Sequence, residues 1–268
     1  MAKTAMVTGA SGGIGLEIAE RLAKEGYQLT LVARSEAKLK EHAARLGSGH
    51  RCLVADLSVP ADIQRVAEDV RASRYDVLVN NAGIGVYGLF SELPLEPTRA
   101  MVRLNVDSVV ELSHAFLAGA KSGDALLNVA STLALLAFPG AAVYSASKAF
   151  VCAFSEGLWY ENKARGVYVA ALLPGATKTS FHEAAGGAAD AAPPASVTQA
   201  VGPVADAAMQ ALRQRSSPTV LTSFLNKAMV FMNTRMMPRK TMVNLMGGMS
   251  PVKSSKPGAL SSASTVDR

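Results

Sequence analysis

A chain of 268 residues, 49% hydrophobic and 18% charged, can bury a full core and suits one large α/β domain better than two small ones. Its formal charge is +6, but residues 212–268 hold nine Lys or Arg and one acid, so residues 1–211 are near neutral at −2. That excludes a nucleic-acid surface spread over the whole molecule and leaves a basic C-terminal segment able to meet phosphates or anionic lipid.

The opening "MAKTAMVTGA" has no h-region or cleavage pattern of a secretory signal, and no later apolar stretch reaches spanning length. "TAMVT" at 4–8 predicts a strand, followed by a glycine-rich turn and an amphipathic helix over Ile14–Lys24. Further strands are predicted at 27–33, 51–57, 75–83, 124–131, 166–175 and 217–222. Helices are predicted at Glu36–Leu46, after Pro60, from Pro97 to about Gly119, and over Val143–Arg165. Strands apolar throughout, alternating with such helices, imply a doubly wound, mostly parallel sheet covered on both faces.

Residues 1–222 then form a single domain, with a small-residue run at 184–203 predicting a flexible lid over about 180–203. Residues 223–249 predict an amphipathic helical segment, and 250–268 a disordered tail. Cys52 and Cys152 have no metal-like spacing and read as free thiols in a reducing, cytoplasmic compartment. His42, His50, His114 and His182 show no ligand pattern either, so no metal is expected.

"VTGASGGIG" at 7–15 places Gly9, Gly13 and Gly15 between the first strand and first helix, where glycine allows tight turning and close approach to a pyrophosphate. After the second strand come Arg34 and Ser35 instead of a carboxylate. A guanidinium and a hydroxyl can grip a 2′-phosphate that a carboxylate would repel. In "YSASK" at 144–148, Tyr144 and Lys148 stand one helical turn apart. An unperturbed tyrosine has a pKa of about 10; a nearby ammonium favours phenolate, so Lys148 is expected to lower it toward the working range of an acid/base.

These motifs resemble, in order and spacing, the short-chain dehydrogenases/reductases over roughly residues 3–180: "TGASGGIG", "NNAG" at 80–83, "LNV" at 104–106, Ser131, "YSASK" and "PGATKT" at 174–179. The resemblance implies a Rossmann-like fold and a nicotinamide cofactor, with Arg34 marking the NADP-preferring type. It implies cofactor contacts at Gly9, Ser11, Gly13, Ile14, Gly15, Arg34, Ser35, Asp56, Leu57, Asn81, Ala82, Gly83, Tyr144, Lys148, Pro174, Gly175 and Thr179. It implies Tyr144 as general acid/base, Ser131 polarising the substrate oxygen, Lys148 on the nicotinamide ribose, and Asn105 supporting a proton relay. A homodimer or homotetramer is the corresponding expectation.

The expected function is therefore NADP(H)-dependent hydride transfer at a carbonyl or alcohol carbon of an apolar small molecule. Two alternatives are a nucleotide-binding regulatory protein without turnover and a sugar-nucleotide epimerase or dehydratase. The intact Asn105, Ser131, Tyr144 and Lys148 set argues against the first, and the TGxxxGxG spacing against the second. In the segment 224–249, apolar residues at 224, 225, 228, 229, 231, 232 and 236 form a helical stripe beside Lys227 and Arg235. It reads as a cover over the substrate cleft or a neighbouring subunit, or as a basic amphipathic element at a membrane surface.

Overall fold

The computed structural model describes residues 2–179, 181 and 198–250. The apolar runs form strands β1 (Thr4–Thr8), β2 (Gln28–Ala33), β3 (Arg51–Val54), β4 (Val77–Asn80), β5 (Ala125–Val129), β6 (Tyr168–Leu173) and β7 (Thr219–Leu221). They make one seven-stranded sheet in the order β3-β2-β1-β4-β5-β6-β7, parallel at every pairing. The winding reverses between β1 and β4, which opens a crevice at their carboxyl ends.

Helices α1 (Gly13–Lys24), α2 (Glu36–Leu46), α3 (Pro60–Ser73), α4 (Leu95–Val102), α5 (Ser108–Gly119), α6 (Ala142–Asn162) and α7 (Val201–Gln214) cover the sheet. Side chains alternate across each strand, so successive residues serve opposite layers. Val7, Leu31 and Leu127 pack with Ile18 and Leu22 of α1 and Met209 of α7. Met6, Leu78 and Leu126 pack instead with Val66 of α3 and Leu112 and Phe116 of α5. Each such side chain contributes about 1.5–3 kcal/mol on full burial.

The structure departs from the predicted elements in four places. Helix α7 was not predicted; its Val204, Ala205, Ala208 and Leu212 are buried at helical spacing. Residues 198–203, expected within a flexible lid, hold a parallel bridge at Gln199 and the first turn of α7; residues 180 and 182–197 of that lid lie outside the described residues. The helix expected over Pro97–Gly119 is interrupted by a π-helical turn at Arg103–Asp107, where the Ser108 N–H donates to the Arg103 carbonyl. The C-terminal stripe divides into α8 (Phe224–Phe231), a second π turn (Met232–Met236) and α9 (Arg239–Met249). The break falls at Met237, held extended because a residue before proline is driven out of the helical region. Of the expected tail only Ser250 is described, and it is buried.

Candidate active site

The glycine turn between β1 and α1 is built without room for side chains at two positions. Gly9 has φ +67°, and a Cβ there would lie 2.7 Å from the Asn81 amide nitrogen; one at Gly15 would strike the same amide and the Gly9 carbonyl. Asn81 reaches the turn because its Nδ2 donates to the Thr8 carbonyl (2.9 Å) while its own N–H donates to Thr8 Oγ1 (2.9 Å). The Ala82 N–H donates to that same hydroxyl at 3.0 Å. Thr8 and Asn81 thus stitch the carboxyl ends of β1 and β4 together.

Gly12 differs: among the described residues nothing lies within 4 Å of where its Cβ would be. Helix α1 begins there with no side-chain cap and no acid in its first turn, so its free amides and positive dipole end address that open space. Ile14 turns its side chain into the core. The residues present fit a dinucleotide phosphate. Across the crevice, the Thr179 methyl lies 3.2 Å from the Cβ position of Gly13, which closes the loop after β6 over this turn. Gln199 holds that loop: its N–H donates to the Ala176 carbonyl and its Nε2 to Thr222 Oγ1. Pro174 accepts from the Thr132 N–H at 2.9 Å, and Gly175 lies against the Asn226 amide.

At the outer end, Arg34 is exposed and its Nη1 lies 3.8 Å from Asp56 Oδ2. Ser35 caps α2, its hydroxyl accepting from the Lys38 N–H. Asp56 accepts from Ser58 N–H and hydroxyl. Leu57 buries its side chain in the core.

Ser131, Tyr144 and Lys148 converge at the carboxyl end of β5. The Ser131 hydroxyl accepts from the Leu133 N–H (3.2 Å) and bonds the Tyr144 hydroxyl. Lys148 is buried; its Nζ donates to the Val129 carbonyl (2.9 Å) and lies 5.9 Å from the Tyr144 ring centre. The same nitrogen is 3.3 Å from the Cβ position of Gly83, as is Asn105 Oδ1 at 3.2 Å.

Asn105 lies in the π turn, fully buried. Its Oδ1 accepts from the Ile84 N–H, and its Nδ2 donates to the Ile84 carbonyl and to Ser147 Oγ, all within 3.0–3.1 Å. It therefore fixes the loop after β4 against α6 at Ile84, the residue next to Gly83.

The acidity expected of Tyr144 is corrected by this geometry. Burial pushes its phenol well above the ordinary tyrosine range, the Tyr87 phenol adds to the rise, and only the Ser131 hydrogen bond opposes it. Burial also brings Lys148 down to about 8. Loss of water is the leading cause of both shifts.

Several contributors escaped the sequence reading. Tyr87 and Phe181 flank Tyr144, ring centres 5.9 Å and 5.7 Å away, and with Met101, Val86 and Leu133 give it an apolar wall. Arg103, two residues before Asn105, donates from Nε to the Ser58 carbonyl beside Asp56. His42 reaches from α2 to the Ser11 carbonyl (3.3 Å). Among the described residues, no group of three or more His, Cys, Asp or Glu could hold a metal.

Residues 3–188 match the family model described as short chain dehydrogenase. The very-long-chain 3-oxoacyl-CoA reductase of Anas platyrhynchos is 36% identical over 181 residues, 63% of this chain and 58% of that protein. The 3-oxoacyl-(acyl-carrier-protein) reductase of Escherichia coli is 34% identical over 186 residues, 68% of this chain and 76% of its own length. Among solved structures, a short-chain dehydrogenase from Sphingobium yanoikuyae in complex with NADPH superposes with a TM-score of 0.77 at 30% identity, covering 95% of this chain and 99% of that one.

Proposed function

The chain belongs to the short-chain dehydrogenase family, and on that premise we propose an NADP(H)-dependent oxidoreductase acting at a carbonyl or alcohol carbon of an apolar substrate. The observation that carries this reading is the convergence of Ser131, Tyr144 and Lys148 beside the glycine turn. The amides at the start of α1 would hold the pyrophosphate, Asp56 and the Leu57 backbone the adenine, Asn81, Ala82 and Gly83 the adenosine side, and Pro174, Gly175 and Thr179 the nicotinamide side. When bound, the cofactor supplies or accepts hydride.

The chain's own groups manage the proton. A phenol held above its usual range stays protonated at neutral pH, which suits Tyr144 to donate to a carbonyl oxygen during reduction. Ser131 polarises that oxygen from a fixed direction, where negative charge develops. Lys148 presents its remaining N–H groups toward the turn at Gly83, and Asn105 keeps that turn in place. The apolar wall around Tyr144 excludes water and favours apolar substrates.

Preference for NADP(H) rests on the exposed Arg34 guanidinium and on the NADPH held by the Sphingobium relative. Apolar 3-oxo compounds are the substrate class suggested by the reductases to which the chain is similar. A cytoplasmic site of action accords with the free Cys52 and Cys152, and self-association with Phe150 of α6, exposed and stacked on Phe154 at 5.5 Å. The test follows NADPH absorbance across aldehydes, ketones and 3-oxoacyl thioesters, repeated with NADH. Turnover with at least one apolar carbonyl, faster with NADPH, is expected. No turnover anywhere in the panel sinks the reading, and faster use of NADH sinks the cofactor preference.

A further inference from the structure

Between Asp206 and Asp267 the chain contains no acidic residue. That stretch includes α8, the second π turn and α9, which carry Lys227, Arg235, Arg239 and Lys240, all exposed. The same segment displays Phe231, Met232, Met236, Leu245 and Met249, five of the eleven large hydrophobic side chains exposed among the described residues. Met236 is 66% and Met249 65% exposed, far beyond incidental surface contact. The inner side of the segment is anchored: Met242 and Met246 bury themselves against Leu136 and Phe138, on the loop that follows Ser131.

We propose that the outer face of this segment docks on an anionic lipid bilayer. Apolar side chains would enter the boundary between headgroups and acyl chains, while the four cations meet lipid phosphates. Met suits such a surface, being flexible and polarizable. A second copy of the chain is a poorer occupant. In a two-fold contact the same face meets itself, which would oppose two sets of four cations with no acid on the segment to pair them. Because the inner side packs beside the candidate site, docking would bring that site to the reservoir in which apolar carbonyl compounds dissolve.

The test is flotation of the full chain with phosphatidylcholine vesicles, with and without phosphatidylglycerol, at low and high salt. At low salt the floating fraction should be at least about tenfold higher on the anionic vesicles, and high salt should erase most of the difference. M236E/R239E should lose that binding by about tenfold, with oxidation of NADPH by a water-soluble ketone unchanged. The milder K227Q/K240Q should weaken binding less and flatten its salt dependence. No flotation, equal flotation on neutral vesicles, or parental binding by M236E/R239E would overturn the proposal. So would a loss of subunit association in M236E/R239E, which would assign the face to a second copy. Vesicle binding by a chain that turns over no carbonyl would leave the docking intact and remove the reductase reading.

Discussion

Lys148 holds its ammonium 5.9 Å from the centre of the Tyr144 ring and directs one proton to the Val129 carbonyl, 2.9 Å away. The two side chains are neighbours, yet both titrations are moved chiefly by burial, in opposite directions. In each case the uncharged form is favoured. The folded chain thus stores a phenol that keeps its proton and a lysine close to losing one.

Tyr144→Phe should lower kcat for carbonyl reduction by roughly 10²–10⁴-fold, the range for removing a positioned acid. The ring contacts with Tyr87 and Phe181 remain, so NADPH affinity should be nearly unchanged. Steady-state kinetics and a fluorescence titration of NADPH separate the two effects. Retained activity would remove Tyr144 from the chemistry.

Lys148→Met should inactivate the protein and stabilise it at pH 7. A lysine whose folded pKa is about 8, against 10.5 unfolded, imposes a penalty that is full below pH 8. Between pH 8 and 10.5 the unfolded chain binds the extra proton, so this penalty fades as pH rises. The gain is on the order of 1–2 kcal/mol, since the lost Val129 hydrogen bond offsets part of it. Urea denaturation of both proteins should show the gap at pH 7 and its shrinkage by pH 10. A gap that widens with pH contradicts the argument.

Gly12 and Gly15 should respond differently to alanine. Gly15→Ala forces a Cβ against the Asn81 amide and Gly9 carbonyl, at a cost of about 1–3 kcal/mol in stability. Gly12→Ala meets nothing among the described residues; its φ of 166° is extended backbone that alanine adopts. It should melt like the parent and still bind NADPH weakly, because the methyl occupies the phosphate cradle. Thermal melts paired with NADPH titration decide it, and unaltered NADPH affinity in Gly12→Ala would displace the cradle.

Arg34→Glu should reduce kcat/KM for NADPH by roughly 10–100-fold, the loss of a charge-assisted phosphate contact. Use of NADH should hold or improve, since a carboxylate at this strand end can accept from a ribose hydroxyl. Comparing both cofactors on one ketone gives the answer; equal losses with both would place Arg34 outside 2′-phosphate recognition.

The sheet was legible because parallel strands buried on both faces read as continuous apolar runs, as in "YVAALL" of β6. The glycine turn and the Tyr144–Lys148 pair were legible because their spacing is fixed by one local element each. Helix α7 was not read: Val204, Ala205, Ala208, Met209 and Leu212 carry the helical period, but Gly202 and Pro203 at its start look like loop punctuation. The titration of Tyr144 could not be read from spacing, because it depends on water removed by Tyr87, Phe181 and Met101 from distant parts of the chain. Asn105 was placed on a continuous helix, and nothing local in "RLNVD" announces a π turn.

That π turn also sets the phase of two helices. It inserts one residue relative to an α-helix, so everything after it is rotated by about 100° against everything before. Upstream, Met101 points to Tyr144; downstream, Leu112 and Phe116 point to the sheet. A one-residue deletion there would therefore act like a mistimed gear. Either the substrate wall or the sheet cover could mesh with its counterpart, but not both, and the chain would have to sacrifice chemistry or core to stay helical.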